Sequence, residues 1–137
     1  METLKRANAQ KEKIMLVEDD HNLRFIIATE LRAEGYFVIG AEDGERAAKM
    51  IEANGEMFGT FDLVITDLIM PKVNGLQLCE RLKKKANHIP ILIISSFLTD
   101  EIVLALEVLG SPDVLEKPFS VEELLNRVRS ILDKGGG

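Results

Sequence analysis

The sequence predicts an α/β protein: five consecutive βα units forming a doubly wound, five-stranded parallel sheet. Three observations carry that prediction. Short apolar runs alternate with longer segments whose apolar residues recur every three or four positions, the pattern of strands alternating with amphipathic helices. The stretch from Asp62 to Gly75, DLVITDLIMPKVNG, runs apolar into a carboxylate, Asp67, and is then broken by Pro71 and Gly75. A continuous apolar run bounded by turn residues suits a strand covered on both faces. Finally, 137 residues with 46% hydrophobic and 29% charged composition leave room for one domain around one real core.

In chain order, residues 1–12 lack apolar periodicity and read as a polar tail. Ile14 to Val17 form the first strand, followed at its end by Glu18, Asp19 and Asp20. Leu23, Ile27 and Leu31 mark a helix face, with Asp20 or Asn22 as cap and Gly35 as stop. Tyr36 to Ala41 make the second strand. Asp43 caps a second helix with Ala47, Ala48 and Ile51 facing inward and Asn54-Gly55 ending it; Glu56 to Phe61 form a loop. The third strand ends at Asp67.

Leu76, Leu78, Cys79 and Leu82 mark the third helix, whose last turns carry Lys83, Lys84 and Lys85. Those cations complement the helix dipole. Pro90 introduces a fourth strand, Ile91 to Ile94, ending in Ser95-Ser96. Thr99 caps a fourth helix, stopped by Gly110-Ser111-Pro112. Val114-Leu115 form a short fifth strand ending in Glu116-Lys117-Pro118. Ser120 with Glu123 is a capping box for the last helix, lined by Leu124, Leu125, Val128, Ile131 and Leu132. The expected organisation is a tail over 1–12, one domain over 13–133 and a flexible Gly-rich end over 134–137.

Parallel strands joined by right-handed crossovers present all their carboxyl ends on one edge. Glu18, Asp19, Asp67, Ser95 and Lys117 therefore gather there. Two carboxylates about 4 Å apart repel by roughly 4 kcal/mol at an effective dielectric near 20. They must take up a proton or a cation. Oxygen ligands without clustered His or Cys suit a hard ion, Mg²⁺ above all. A carboxylate, a cation site, a hydroxyl and an ammonium together suit phosphoryl transfer onto Asp67.

The motifs IMLVEDD, DLVITDLIMPKVNG, PILIISS and VLEKPF, in this order and at these spacings, resemble those of response-regulator receiver domains, over about Lys13 to Asp133. The resemblance implies the flavodoxin-like strand order 2-1-3-4-5 and a cis peptide before Pro118. It implies that Asp67 accepts phosphate from the phosphohistidine of a histidine kinase or phosphotransfer protein. Asp19 and Asp67 would ligate Mg²⁺ directly, Glu18 through water, and the Ile69 carbonyl would complete the set. Ser95 and Lys117 would bind the phosphoryl group. The implied role is a phosphorelay switch, not a turnover enzyme. Its output would run to an effector over the fourth helix, fifth strand and fifth helix; a homodimer is left open.

Three positions depart from the family pattern. Val114 stands where the switch residue is usually aromatic, which directs output to the loop before the fourth helix. Ile69 and Phe97 cannot orient a water by hydrogen bonding, so slow loss of the phosphoryl group is expected.

Other classes fit less well. A net charge of −6 gives no basic field for nucleic acid. The N-terminus has no apolar leader core, no run is long enough to span a bilayer, and the single cysteine, Cys79, allows no internal disulfide. A cytoplasmic setting is expected. A docking-only pseudo-receiver would be marked by loss of an acid or the lysine, and none is lost. A flavodoxin-like cofactor binder needs a phosphate loop where Glu18 to Asp20 stand. An aspartyl-phosphate hydrolase needs a second Asp where Ile69 stands. Alone, Glu18–Asp20 would be a helix-start charge cluster, Lys117 a surface cation and Ser95 a strand-end hydroxyl; only their alignment with Asp67 makes a site. Cys79 is expected in the core, and His21 and His88 at the surface.

Overall fold

The computed structural model describes residues 12–52, 61–68, 75–85, 89–96, 98–110 and 113–136. Five strands alternate with five helices: β1 (Lys13–Val17), α1 (His21–Ala33), β2 (Phe37–Ala41), α2 (Gly44–Glu52), β3 (Leu63–Asp67), α3 (Gly75–Lys85), β4 (Ile91–Ser95), α4 (Asp100–Val108), β5 (Asp113–Glu116) and α5 (Val121–Gly136). All pairings are parallel and the order is β2-β1-β3-β4-β5. The expected flavodoxin-like fold is the one observed.

Strand alternation divides the core into two layers. Ile14, Leu16, Leu63, Ile65, Leu92 and Ile94 face one side, against Ile27, Ala28 and Leu31 of α1 and Leu124, Val128, Ile131 and Leu132 of α5. On the other side, Met15, Val17 and Val64 meet Ala47 and Ala48 of α2 and Leu78 and Leu82 of α3. Ile93 of β4 meets Cys79 of α3 and Leu106 of α4 there. Cys79 is buried, as expected of a core residue. Buried strands with both faces covered explain why they read as unbroken apolar runs rather than alternating ones.

The caps are those that the sequence announces. Asp20 accepts from the Leu23 amide at 3.0 Å, Asp43 from Arg46 at 2.8 Å, and Thr99 from Ile102 at 3.2 Å. Ser120 and Glu123 close a reciprocal box at 3.0 and 3.2 Å. Gly35 ends α1 at φ +99°, a left-handed conformation that disfavours any side chain.

The differences in element bounds have local causes. Tyr36 is left out of β2 because its amide turns back to the Leu31 carbonyl, closing the end of α1. Main-chain bonding carries α5 through Gly136, past the expected boundary at 133. The expected stops at Asn54-Gly55, Pro71 and Ser111-Pro112, most of the loop Glu56 to Phe61, and His88 lie outside the described residues, as do the side chains of Lys83 to Lys85. Among the described residues, no helix is long and apolar enough to cross a membrane.

Candidate functional site

The register determines which side chains meet. Val17 pairs with Ala41 on one side and Thr66 on the other, and Asp67 pairs with Ile94. Glu18 and Asp19 therefore leave β1 beside the last residue of β3. Beyond β5 the Lys117 amide donates to the Ser95 carbonyl at 2.8 Å, holding Lys117 at the same edge. The Lys117–Pro118 peptide is cis, as the resemblance implies.

The three carboxylates converge. Glu18, Asp19 and Asp67 each offer an oxygen, and these oxygens all lie within 4.8 Å of one another. Glu18, Asp67 and Ser95 are buried while Asp19 is exposed, so the cup opens to solvent on the Asp19 side. The Lys117 Nζ donates to Asp67 Oδ2 at 2.8 Å and to Glu18 Oε1 at 3.4 Å, bridging β1 and β3. Glu18 Oε2 accepts from the Asp20 amide at 3.1 Å.

Burial pushes the Glu18 carboxyl up to about 7. The Asp20 amide bond pulls the other way, the Asp67 charge pushes up again, and Lys117 offsets part of the rise. For Lys117, burial is the largest single influence and lowers its pKa. The hydrogen bond and charge of Asp67, joined by Glu18, outweigh it, and the ammonium titrates above its ordinary range. It stays charged at any physiological pH.

The donor set fits a hard divalent cation: carboxylate oxygens from three residues within reach of one centre, one of them, Glu18, holding its proton to near neutrality chiefly because it is buried. Glu18, Asp19, Asp67 and Lys117 are thus brought together as the sequence predicts. Ser95 closes the end of β4 beside them. Ile69, whose carbonyl is the remaining expected ligand, and Phe97 lie outside the described residues. His21 is exposed as expected, its Nδ1 3.3 Å from Arg24 Nη2. Val114, half-buried, packs against the core cluster formed by Leu68, Cys79, Ile93 and Leu106.

Arg24 is the residue that sequence reasoning passed over. Its Nη1 donates to the Glu18 carbonyl at 2.6 Å. The available signals were a cation one turn into the helix after an acidic strand end, and Gly40 inside a strand, where glycine marks a close approach.

A cavity of about 550 Å³ lies beside the cup, lined by Leu23, Ser96, Lys117, Pro118 and Phe119. On the α4 side Leu104 and Val108 are exposed, at 61% and 82%.

Comparison with known proteins agrees with this geometry. The sequence model of the response regulator receiver domain matches residues 14–129. A probable transcriptional regulatory protein of Picosynechococcus sp. is 41% identical over 134 residues, 95% of this chain and 53% of the relative. SphR, the alkaline phosphatase synthesis transcriptional regulatory protein of Synechococcus elongatus, is 36% identical over 131 residues, 92% and 51% of the two chains. The chain spans about half the length of the curated relatives it matches. Among solved structures, a CheY-like receiver domain protein from Methanospirillum hungatei shares the fold with a TM-score of 0.85 at 22% identity, covering 93% of this chain and 98% of that one. A putative response regulator from Chloroflexus aurantiacus matches at 30% identity and TM-score 0.79, over 90% and 99%. Sequence, register and acidic edge lead to one assignment: the chain belongs to the response regulator receiver domain family of two-component systems.

Proposed function

We propose that this chain is a phosphoacceptor switch in which Asp67 takes a phosphoryl group from the phosphohistidine of a histidine kinase or phosphotransfer protein. The observation that carries the reading is the convergence of Glu18, Asp19 and Asp67 within 4.8 Å around the Lys117 ammonium. An Asp67 oxygen attacks phosphorus, the new O–P bond forms as the P–N bond breaks, and the imidazole leaves and takes up a proton. Lys117 orients the Asp67 carboxylate before transfer and is placed to hold the phosphoryl oxygens after it. Ser95, at the adjacent strand end, supplies a hydroxyl to the same group. Glu18, Asp19, Asp67 and the Ile69 carbonyl would hold Mg²⁺, which when bound neutralises charge on the cup and on the phosphoryl oxygens.

The receiver would occupy 13–133 and work in the cytoplasm as a switch, without turnover. Relatives named as transcriptional regulators support an output to transcription. The exposed face of α4, continuing to β5 and α5, suits the effector or a second copy. With Val114 standing in place of an aromatic, movement of the loop before α4 would carry the signal.

Intact-mass spectrometry after incubation with Mg²⁺ and a small phosphodonor tests this. One phosphoryl adduct is expected on the wild type and none on Asp67→Asn. An equal adduct on the variant would place the acceptor elsewhere, and no adduct on either would make the chain a docking module.

A further inference from the structure

We infer that Arg24 is a positioning residue for the acidic cup, seated on Gly40 so that it holds the Glu18 main chain; the inference rests on the metal-binding reading above. Glu18 lies one residue beyond β1, where the ladder has ended. Its amide still donates to the Ala41 carbonyl of β2 at 3.1 Å. Its carbonyl is taken by Arg24 Nη1 at 2.6 Å, a charge-assisted bond at the short end of the range. The Arg24 amide donates to the Asp20 carbonyl at 2.9 Å, and the Asp20 carboxylate caps Leu23. The first turn of α1 therefore grips the whole Glu18–Asp20 connection, which carries two of the three converging acids.

The path of the Arg24 side chain depends on a missing side chain in β2. A Cβ on Gly40 would stand 3.3 Å from Arg24 Cδ, 3.6 Å from Cγ and 3.7 Å from Nε. Gly40 does not have a left-handed backbone, so the strand itself has no need of glycine there. The stem of Arg24, however, would have to give by a few tenths of an ångström to admit a Cβ, and further for a branched side chain. Repulsion among the carboxylates tends to splay the connection. A main-chain bond from a fixed cation opposes this without drawing on the carboxylate oxygens, which stay available for a metal.

The test is Mg²⁺ titration calorimetry at pH 8 on wild type, Arg24→Met, Gly40→Val and the double variant, each at a temperature where it is folded. A supporting group of this kind is worth about tenfold in metal affinity, so Arg24→Met should bind about tenfold more weakly. Gly40→Val, which keeps the arginine but pushes its stem away and adds a strand-favouring residue, should also bind more weakly. Its effect should vanish once Arg24 is already Met. Without metal, the Asp20 amide, bonded to Glu18 Oε2, should exchange with solvent faster in Arg24→Met while the β3 amides keep their rates. General loosening of the fold would speed both. Wild-type affinity in Arg24→Met, or equal losses from Gly40→Val in both backgrounds, would overturn the inference and leave the receiver reading intact. No magnesium uptake by the wild type would instead sink the metal site itself.

Discussion

In the metal-free protein, stability should fall as pH rises from 5 to 8, and Glu18 is the cause. Its carboxyl titrates at about 7 in the folded chain against an ordinary 4.5, because burial and the Asp67 charge disfavour the anion. The folded state therefore holds a proton that the unfolded chain has released. The stabilisation this gives is complete below pH 4.5 and is lost as pH climbs through 7. At ~1.4 kcal/mol for each pH unit of difference, the loss comes to about 3 kcal/mol. For a domain of this size that is a drop of about 10 °C in the unfolding midpoint. Lys117 does not tilt the slope, because its contribution is present throughout this window and is lost only above its own raised pKa.

The assay is urea unfolding in EDTA at pH 5, 6, 7 and 8, on wild type and Glu18→Gln. The amide mimics the protonated acid and still accepts from Asp20. The two proteins should agree within about 1 kcal/mol at pH 5. At pH 8 the variant should be the more stable by about 2–3 kcal/mol. Saturating Mg²⁺ should restore the wild type at pH 8 more than it helps the variant, since the cation replaces the proton. A wild-type curve that is flat or rises with pH, or a variant less stable at pH 8, would refute the reasoning.

Lys117→Met removes the ammonium that bonds both Glu18 and Asp67 and should destabilise the metal-free protein by about 2 kcal/mol at pH 8, read by the same unfolding assay. Gly35→Ala forces a side chain into φ +99° and should cost about 1 kcal/mol in chemical denaturation. Ser120→Ala removes the acceptor for the Glu123 amide and should lower the α5 contribution by about 1 kcal/mol, seen as a lower thermal midpoint. Ile69→Asn would supply a hydrogen-bonding side chain where the sequence has an apolar one, and should shorten the aspartyl-phosphate half-life several-fold when the mass adduct is followed over time.

The strand ends were legible because a buried parallel strand must be apolar throughout and its first polar residue marks the edge. Val17 to Glu18 shows this directly, while β3 already admits Thr66 before it ends at Asp67. Caps were legible for the same reason: Asp20, Asp43, Thr99 and Ser120 stand where helix amides need acceptors. The start of β2 was not. Tyr36 reads as a strand residue by type, and only the return of its amide to Leu31 removes it from the ladder. Arg24 was passed over for a related reason, its two signals being weak. Its role lies in a bond to a main-chain carbonyl and in the space above Gly40, and neither belongs to a side-chain motif.

The site and the fold pull in opposite directions along β1. Met15 and Val17 sit in a fully apolar layer, and the next residue brings a carboxylate to the same depth, 1% exposed. Packing places Glu18 there, and its own electrostatics oppose the placement. The conflict is eased locally: the Asp20 amide and Lys117 from beyond β5 each compensate part of it. Neither of them removes it, since the Glu18 carboxyl still binds a proton near pH 7. On the phosphoacceptor reading proposed above, a divalent cation from solution would supply the positive charge that these partners leave short. On that reading, the electrostatic cost of the metal-free fold would be returned as metal affinity in the working protein.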